Sequence, residues 1–321
     1  MDILVYGAGV LGSLYAARLK QAGQNVTILA RDRRYREIRH HSIVLEDERT
    51  GRRTRTRVRV VSELRPDDAY DLVLVVMRKD QVQSVLAPLA ANRRTPKVLF
   101  MVNNAAGPDA YVSALGADRV LLGFPGAGGA RLGHVVRYRI LPRRSQPTTI
   151  GELDGRITDR LWELVGLLEM AGFPTVASRH MDAWLKTHVA VVSPIANALY
   201  YAGDNYRLAQ NREGLQLLAR AVREGMGVLR ALRVPIVPFK YRLVAMLPVP
   251  FLALIFRQMM GSRRAELVMM RHARVAVPEM KMLADEFMQL ARGTPVPTPA
   301  MDRLYQVVQE TARVVTVVGR G

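Results

Sequence analysis

The chain opens with a short apolar segment that runs directly into a glycine-rich turn and then into a helix. The turn consists of Gly7, Ala8, Gly9, Val10, Leu11 and Gly12. In such a strand–turn–helix unit the first glycine permits the tight turn, the second lets a pyrophosphate approach the backbone, and the third allows close packing of helix on strand. Free N–H groups at the helix start favour phosphates. We therefore predict a dinucleotide-binding turn; the alternative is a structural glycine turn without a ligand.

Apolar strands and helical stretches alternate through the first half of the chain. Strands are predicted at residues 3–6, 25–30, 71–76 and 97–102, and helices at residues 11–22 and 81–90. This alternation is typical of a parallel sheet covered by helices. Beyond about residue 150 the strand signal fades and long helical stretches take over. The predicted fold class is therefore α/β: an N-terminal Rossmann-type parallel-sheet domain over residues 1–177, followed by an all-α C-terminal domain over residues 178–321 for substrate binding or dimerisation.

The composition excludes several classes of protein. Hydrophobic residues make up 49% of the 321 residues, which is too many for a disordered or collagen-like chain. Cysteine is absent, and this removes disulfides, zinc ribbons, cysteine-ligated iron–sulfur clusters and thiol nucleophiles. The six histidines show no metal-ligand spacing, so no metal site is predicted.

The longest apolar run, residues 243–256, bears on where the protein works. It is shorter than the roughly 20 residues that span a bilayer, and it contains two prolines. The N-terminus lacks the features of a signal peptide, so we expect a cytoplasmic protein without a transmembrane segment. We interpret the run as buried core. The alternatives are a lid, a contact in a homodimer, or a peripheral membrane contact supported by Arg257, Arg263 and Arg264.

The net charge of +19 raises the question of an anionic partner. Its densest patch lies between Arg49 and Arg59, where arginines alternate with threonine and valine. Period-two alternation predicts a hairpin strand with one packed face and an arginine face in solvent. A nucleic-acid partner is the alternative, but no helix-turn-helix, zinc finger or RNA-binding aromatic motif accompanies the patch. The sequence therefore does not favour nucleic acid.

The end of the second predicted strand bears on the choice of dinucleotide. It reads Leu29, Ala30, Arg31. A carboxylate at this place would accept the ribose hydroxyls of NAD, whereas a guanidinium pairs with the 2′-phosphate of NADPH. We therefore predict NADPH as the cofactor, with Arg31 at its extra phosphate. Two alternatives remain: Asp32 as a displaced ribose acceptor, and a run of arginines in solvent.

Five segments carry a further signal through their order and spacing. They are the turn at residues 7–12 with the following Arg31, residues 76–82, residues 102–107, residues 184–186, and Pro278 with Glu279. Together, and over nearly the whole chain, they resemble the ketopantoate reductase (2-dehydropantoate 2-reductase) family, of which the chain would be a divergent member. The resemblance implies a Rossmann domain followed by a helical domain, with a 2-keto acid reduced by NADPH in the cleft between them.

Two residues match catalytic positions of that family. Lys186 matches its catalytic lysine, whose ammonium would donate a proton and stabilise the alkoxide that hydride transfer produces. Glu279 matches the glutamate that binds the substrate hydroxyl. The alternatives are an ordinary surface lysine and a favourable helix start, because Glu279 directly follows Pro278.

Two further residues match positions near the cofactor. Asn104 matches the asparagine that contacts the nicotinamide ribose and the substrate region, and Asn103 is the alternative if the register shifts by one. A plain turn residue is a third interpretation. Arg78 falls where the family has a lysine near the cofactor, with the neighbouring Lys79 as the alternative; a guanidinium keeps the charge but not the compact ammonium.

Helical spacing adds candidates from the residues alone. Lys186, Ala190, Ser193 and Asn197 are separated by four, three and four positions, so they share one helix face. Ser193 and Asn197 are polar residues in an apolar run, and we predict that they bind the substrate. The alternative is helix–helix or backbone hydrogen bonding beside Pro194.

Two positions depart from the family pattern. Ala190 stands where the family has an asparagine one turn after its lysine, and Leu267 stands where spacing from Glu279 places a substrate-binding serine. Buried hydrogen-bonding groups can dominate discrimination between small molecules. Their replacement favours a different keto acid or a larger, more apolar substrate.

The predicted function is NADPH-dependent reduction of a 2-keto acid to a 2-hydroxy acid, most simply 2-dehydropantoate to pantoate in pantothenate biosynthesis. One alternative is reduction of another ketone or an imine in the same fold. Another is a non-catalytic protein that senses NADPH or associates with nucleic acid. The predicted partner is a small-molecule 2-keto acid, with a second copy of the chain as a possible partner in a homodimer.

Overall fold

The computed structural model describes residues 1–318, except for the side chains at positions 264, 267, 268, 271, 272 and 316–318. The chain forms two compact units. The first comprises residues 1–102 and 108–181; the second comprises residues 103–107 and the chain from Asp182 onward. The boundary near residue 177 stays a prediction. Nothing in the sequence indicated that residues 103–107 would group with the second unit.

The strands that the structure describes all lie in the first unit. They are β1 (Asp2–Tyr6), β2 (Asn25–Leu29), β3 (Ile43–Asp47), β4 (Arg53–Thr56), β5 (Arg59–Val61), β6 (Leu72–Val75), β7 (Val98–Met101), β8 (Val120–Phe124), β9 (Ala127–Leu132), β10 (Val135–Ile140), β11 (Thr148–Gly151) and β12 (Thr175–Ala177). Strands β1, β2, β6 and β7 are buried along almost their whole length, as expected for central parallel strands that are covered on both faces.

Eight of these strands form the main sheet, in the order β12, β11, β8, β7, β6, β1, β2, β5. Neighbours run parallel except for β11, which is antiparallel to β8. Ile3 pairs with both Val26 and Leu72, so the C-terminal ends of β1, β2 and β6 lie at one edge. The strand order reverses at β1, which is where such sheets bind ligands. The predicted α/β class with a Rossmann-type parallel sheet is confirmed.

Helices accompany the sheet of the first unit. They are α1 (Val10–Gln21), α2 (Asp32–His41), α3 (Lys79–Ala91), α4 (Asp109–Leu115) and α5 (Asp159–Met170). A second sheet, in the order β4, β3, β10, β9, contacts α1 from its own side, so that α1 touches strands of both sheets. Leu14, Ala17 and Leu19 of α1 are fully buried as a result.

The basic patch is divided between the two sheets. β4 pairs with β3 in the second sheet, whereas β5 pairs with β2 at the edge of the main sheet. Arg53 and Arg55 are exposed and Thr56 is buried, which confirms the period-two pattern over β4. The prediction of one continuous hairpin strand is wrong, because residues 57 and 58 leave the strand and carry the chain to the other sheet.

The second unit is built from helices around α8. They are α6 (Met181–Ala202), α7 (Asn205–Gln210), α8 (Arg212–Ala231), α9 (Phe239–Met246), α10 (Val249–Met260), α11 (Arg263–Ala265), α12 (Arg271–Val275), α13 (Val277–Arg292) and α14 (Pro299–Val318), with a π-helical turn between α11 and α12. Leu218, Val222, Met226 and Leu229 form the fully buried face of α8. Helices α10, α13 and α14 pack on α8. Within residues 1–318, no helix is both long enough and apolar enough to cross a membrane.

Candidate active site

The glycine turn after β1 has the shape that a dinucleotide needs. Gly7 adopts a φ of +119°, and a Cβ there would clash with the carbonyl oxygen of Val76. A Cβ at Gly12 would clash with the carbonyl oxygen of Gly7, so α1 packs this closely only without a side chain. At Gly9, by contrast, a Cβ would meet no described atom within 4 Å. Open space therefore lies beside Gly9, where a pyrophosphate would approach the backbone.

The first turn of α1 completes this cradle. Gly9 is the N-cap, no described side chain caps the helix, and its first turn contains no acidic residue. The N–H groups of a first turn have no acceptors within their own helix, and the helix dipole adds partial positive charge. The residues present therefore fit the pyrophosphate of a nicotinamide dinucleotide, with the backbone of Ala8, Val10 and Leu11 in the same turn.

Two arginines after β2 differ in their contacts. Arg31 is exposed, and its Nη2 donates to the Tyr6 hydroxyl over 3.4 Å. The Arg34 side chain is only 10% exposed; its Nε donates to the Ala8 carbonyl at 3.0 Å and its Nη2 to Ser13 Oγ at 2.8 Å. Burial lowers the pKa of this guanidinium. Arg34 thus fixes the glycine turn against α1, a role that sequence analysis missed, whereas Arg31 is accessible to a phosphate.

Arg78 and Lys79 lie at the start of α3, after the end of β6. Arg78 Nη2 donates to Asp80 Oδ2 at 3.1 Å, and its side chain is 35% exposed. Lys79 Nζ lies 3.3 Å from the Tyr111 hydroxyl and 5.3 Å from the centroid of that ring, a cation–π geometry. Both cations are therefore engaged, Arg78 with Asp80 and Lys79 with Tyr111, and the contact of Arg78 with the cofactor remains a prediction.

Residues 103–107, named here the asparagine loop, follow β7 and carry both candidate asparagines. Asn103 Nδ2 donates to Glu279 Oε1 at 3.3 Å. Asn104 is buried, and its Nδ2 donates to the Gly107 carbonyl at 2.7 Å. Asn103 is therefore the residue that contacts Glu279, while Asn104 closes the loop. The contact of Asn104 with cofactor and substrate remains a prediction.

Glu286 on α13 also holds the asparagine loop. Its Oε2 accepts hydrogen bonds from the backbone N–H groups of Ala105 at 2.9 Å and Ala106 at 3.2 Å. This carboxylate is not among the site residues that the sequence motifs predicted. Glu286 follows Glu279 by seven positions, and this spacing places both carboxylates on one face of a helix. That signal was available in the sequence.

Lys186 lies in the second turn of α6 and forms an ion pair with Asp182, four residues earlier. The Lys186 side chain is 12% exposed and that of Asp182 is 35% exposed. A Cβ on Gly107 would lie 3.6 Å from Lys186 Nζ and 3.8 Å from Asp182 Oδ1, so the ion pair lies against the asparagine loop. Gly107 has a φ of +94°, which glycine adopts readily. Lys186 thus lies beside one end of the loop, at Gly107, and Glu279 accepts a hydrogen bond from the other end, at Asn103.

Two buried acceptors lie beside these residues. Asn103 Oδ1 and Asp182 Oδ1 are inaccessible to solvent, and neither accepts a hydrogen bond within the described part of the chain. A buried acceptor without a donor costs about 1–3 kcal/mol. A ligand with hydroxyl groups would relieve that cost at either atom, which makes the neighbourhood of the asparagine loop a candidate binding site.

Glu279 sits at the start of α13 with 2% of its surface exposed, and its charge influences its neighbours. Burial, followed by the charge of Glu279, raises the pKa of Tyr200. Burial and then the charge of Lys240 lower the pKa of His188 to about 4, against the opposing effect of Glu279. The His188 ring stacks on Trp184 with centroids 5.2 Å apart. His188 is therefore neutral near pH 7 and does not act as a cation there.

The structure places Ser193 and Asn197 away from this group. Both are buried and line a cavity of about 10 Å³ between α6, α13 and α14, whose lining includes neither Lys186 nor Glu279. A cavity of this size holds about one water molecule. Their substrate contacts remain a prediction. Ala190 is buried facing Gly225 of α8, and the Leu267 side chain lies outside the described residues. Among the described side chains, no group of three carboxylates or histidines is arranged to hold a metal ion.

Residues 3–155 match the sequence model of a family described as ketopantoate reductase PanE/ApbA. This part of the chain belongs to the ketopantoate reductase family. The resemblance carried by the sequence motifs is thereby confirmed, and the low identities to solved relatives fit a divergent member. The family and the fold make the chain an NAD(P)-dependent oxidoreductase, and the predicted nicotinamide cofactor is confirmed at that level.

Solved structures share the fold over almost the full chain. The chain is similar to 2-dehydropantoate 2-reductase from Geobacter metallireducens GS-15, with 17% identity, a TM-score of 0.80, and coverage of 97% of this chain and 100% of that chain. It is also similar to a PanE/ApbA family ketopantoate reductase from Ralstonia eutropha JMP134, with 20% identity, a TM-score of 0.75, and coverage of 96% of this chain and 97% of that chain. A third similar structure is the ternary structure of D-mandelate dehydrogenase with NADH and anilino(oxo)acetate, with 16% identity, a TM-score of 0.79, and coverage of 98% of this chain and 99% of that chain. A sequence comparison with curated proteins finds no match.

Proposed function

We propose that the protein reduces a 2-keto acid to a 2-hydroxy acid with NADPH, and that 2-dehydropantoate, reduced to pantoate for pantothenate biosynthesis in the cytoplasm, is the simplest substrate. The observation that carries this proposal is the placement of two charged groups at the asparagine loop: the Lys186 ammonium lies beside Gly107, and the Glu279 carboxylate accepts a hydrogen bond from Asn103. The asparagine loop thus lies beside the cation of Lys186 and the buried carboxylate of Glu279. Two buried acceptors in the same place, Asn103 Oδ1 and Asp182 Oδ1, have no donor in the described part of the chain.

Reduction of a ketone needs a hydride at carbon and a proton at oxygen. The nicotinamide supplies the hydride when it is bound. Lys186 donates the proton to the carbonyl oxygen, and its positive charge stabilises the alkoxide as that charge develops. The ammonium is largely shielded from water, where electrostatic stabilisation is stronger than in bulk solvent. Asp182 holds the ammonium in place, and the neutral amine regains its proton from solvent after turnover.

Glu279 and Asn103 orient the substrate in this proposal. The Asn103 amide donates to Glu279 Oε1, which fixes both side chains. Glu279 then accepts a hydrogen bond from a substrate hydroxyl, as 2-dehydropantoate offers. Asn103 Oδ1 and Asp182 Oδ1 are buried without a donor in the described part of the chain, and each can accept a hydrogen bond from the substrate. A substrate without a hydroxyl would leave these oxygens unsatisfied and would bind more weakly.

The choice of NADPH rests on Arg31. Its guanidinium is exposed near the end of β2, beside the glycine turn that holds the pyrophosphate, and contacts Tyr6. Leu29 and Ala30 offer no carboxylate to a ribose. Arg34 contributes differently, because its guanidinium is engaged with the turn itself.

A panel of 2-keto acids tests the proposal. The panel contains 2-dehydropantoate, small aliphatic 2-keto acids, and the aromatic benzoylformate, because the similar D-mandelate dehydrogenase was solved with anilino(oxo)acetate, an oxo acid that carries an aromatic ring through its anilino group. NADPH oxidation is followed by absorbance, and NADPH binding by fluorescence. We expect oxidation with at least one 2-keto acid. Glu279 favours the hydroxyl of 2-dehydropantoate, whereas the replacements at Ala190 and Leu267 favour a larger, more apolar member, and the relative rates decide between the two. NADPH binding without oxidation of any member would contradict the proposal and favour a cofactor-sensing protein.

A further inference from the structure

Helices α9 and α10 in the second unit expose apolar side chains along one face each. On α9 the exposed residues are Phe239, Leu243 and Met246, spaced by four and three positions and 65%, 53% and 74% exposed. Residues at this spacing lie on one side of a helix. A stripe of three large apolar side chains therefore faces outward from α9.

Helix α10, which follows α9 after Leu247 and Pro248, also exposes large apolar side chains on one side. Its Phe251, Leu254 and Ile255 are exposed, and they too share one side of the helix. The opposite side of α10 is buried in the helical core through Leu252, Ala253, Phe256 and Met260. The outward stripe is therefore additional to the side that anchors α10 in the fold. Soluble monomers rarely expose large apolar side chains in such a concentration without a partner.

The charged residues within this segment of the chain have one sign. Residues 225–265 contain seven Lys and Arg residues and no Asp or Glu. Exposed basic residues lie in both helices and beside them: Arg233, Lys240, Arg242, Arg257 and Arg263. A partner that covers the stripes must therefore offer an apolar surface together with negative charge.

We propose that the α9–α10 surface, formed by the two stripes and these basic residues, docks the protein onto an anionic lipid bilayer. A second copy of the chain fits less well, because a symmetric contact would bring the same basic residues together and each chain carries a net charge of +19. Amphipathic helices with Phe and Leu on one side and Lys or Arg around it bind at the boundary of headgroups and acyl chains. Basic residues are attracted by anionic headgroups, so the two signals add.

Vesicle co-sedimentation of the full chain tests this proposal. The vesicles are phosphatidylcholine alone and phosphatidylcholine mixed with phosphatidylglycerol. We expect binding to the mixed vesicles that weakens as salt is raised, and at least about tenfold weaker binding to phosphatidylcholine alone. Equal binding to both vesicles, or no binding to the anionic vesicles at moderate salt, would overturn the proposal.

Matched variants locate the surface. Met246→Asp places a charge in the α9 stripe, and Met170→Asp does the same at a methionine of the first unit that is 68% exposed. We expect about tenfold or greater loss of vesicle binding for Met246→Asp and none for Met170→Asp. Arg257→Gln should weaken binding to anionic vesicles, whereas Arg144→Gln, at an exposed arginine of the first unit, should not.

Two further measurements keep the result interpretable. Unchanged NADPH binding and circular dichroism show that a variant is folded, and they separate this surface from the proposed reaction. Analytical ultracentrifugation tests whether a second copy of the chain covers the α9–α10 surface instead. A dimer that Met246→Asp converts to monomer, with no vesicle binding by the unaltered protein, would overturn the proposal in favour of a second copy of the chain.

Discussion

Removal of the Lys186 ammonium is the most informative change in the second unit. In Lys186→Ala the proton donor and the positive charge next to the developing alkoxide are both lost. Loss of a general acid costs about 10²- to 10⁴-fold in rate, and loss of one donor to an oxyanion about 10²- to 10³-fold. We therefore expect kcat to fall by at least about 10²-fold, with NADPH affinity unchanged because the glycine turn lies on a different part of the chain.

The structural cost of this change comes from the lost ion pair and from the Asp182 carboxylate that is left without its partner. Lys186 and Asp182 form an ion pair between positions four apart on one helix, and such pairs stabilise helices by about 0.2–0.5 kcal/mol. A matched control exists on α13, where Lys281 pairs with Asp285 at the same spacing. Lys281→Ala should change the free energy of unfolding by a similar amount and leave kcat unchanged. A comparable loss of kcat in both variants would show that Lys186 acts through stability.

Lys186→Arg separates charge from proton donation. The guanidinium keeps the positive charge, but it is bulkier than an ammonium and keeps its proton under all ordinary conditions. The asparagine loop lies close by, with a Cβ on Gly107 only 3.6 Å from Nζ. We expect kcat of Lys186→Arg to stay well below that of the unaltered enzyme. The assay is steady-state NADPH oxidation with the best keto acid of the panel. Near-full kcat in Lys186→Ala would refute the assignment of Lys186 as the acid.

Two further predictions concern stability. Arg34→Ala removes the hydrogen bonds to the glycine turn, so it should lower the free energy of unfolding by about 1–3 kcal/mol and weaken NADPH binding. The control is Arg33→Ala, at a side chain 79% exposed, which should change the free energy of unfolding by less than about 0.5 kcal/mol. Equal effects of the two substitutions in denaturant titrations would contradict the role of Arg34. His188, with its pKa lowered to about 4, binds protons in the unfolded chain before it does so in the folded protein, so acidification from neutral pH to about pH 4.5 should cost up to about 2 kcal/mol. That part of the pH dependence should disappear in His188→Gln, and its persistence there would assign it to other groups.

Local patterns predicted the Rossmann half well, because its signals lie within a few residues of one another. The turn from Gly7 to Gly12 follows an apolar strand and precedes a helix, and each glycine meets the close contact or open space that its position requires. The basic patch shows the limit of this approach. Alternation predicted the faces of β4 correctly, but it contains no information on the partner of each strand, and β4 and β5 pair in different sheets.

The candidate site depends more on contacts that are distant in sequence. Helical spacing placed Lys186, Ser193 and Asn197 on one face of α6, but the length of that helix takes the last two to a cavity lined by α13 and α14. Helical spacing could place Asp182 and Glu286 on the faces of Lys186 and Glu279, but no motif indicates that either lies at the asparagine loop. Their roles arise from packing that brings residues 103–107 beside α6 and α13.

The central claim is that Arg31 binds the 2′-phosphate of NADPH. Titration of the protein with each dinucleotide tests it most directly. Isothermal calorimetry with NADPH and NADH is carried out on the unaltered protein, on Arg31→Ala, and on Arg33→Ala as the neighbouring control. We predict that NADPH binds more tightly than NADH, and that Arg31→Ala loses about tenfold or more in NADPH affinity while its NADH affinity is unchanged. Tighter binding of NADH by the unaltered protein, or equal NADPH affinity in Arg31→Ala, would contradict the account.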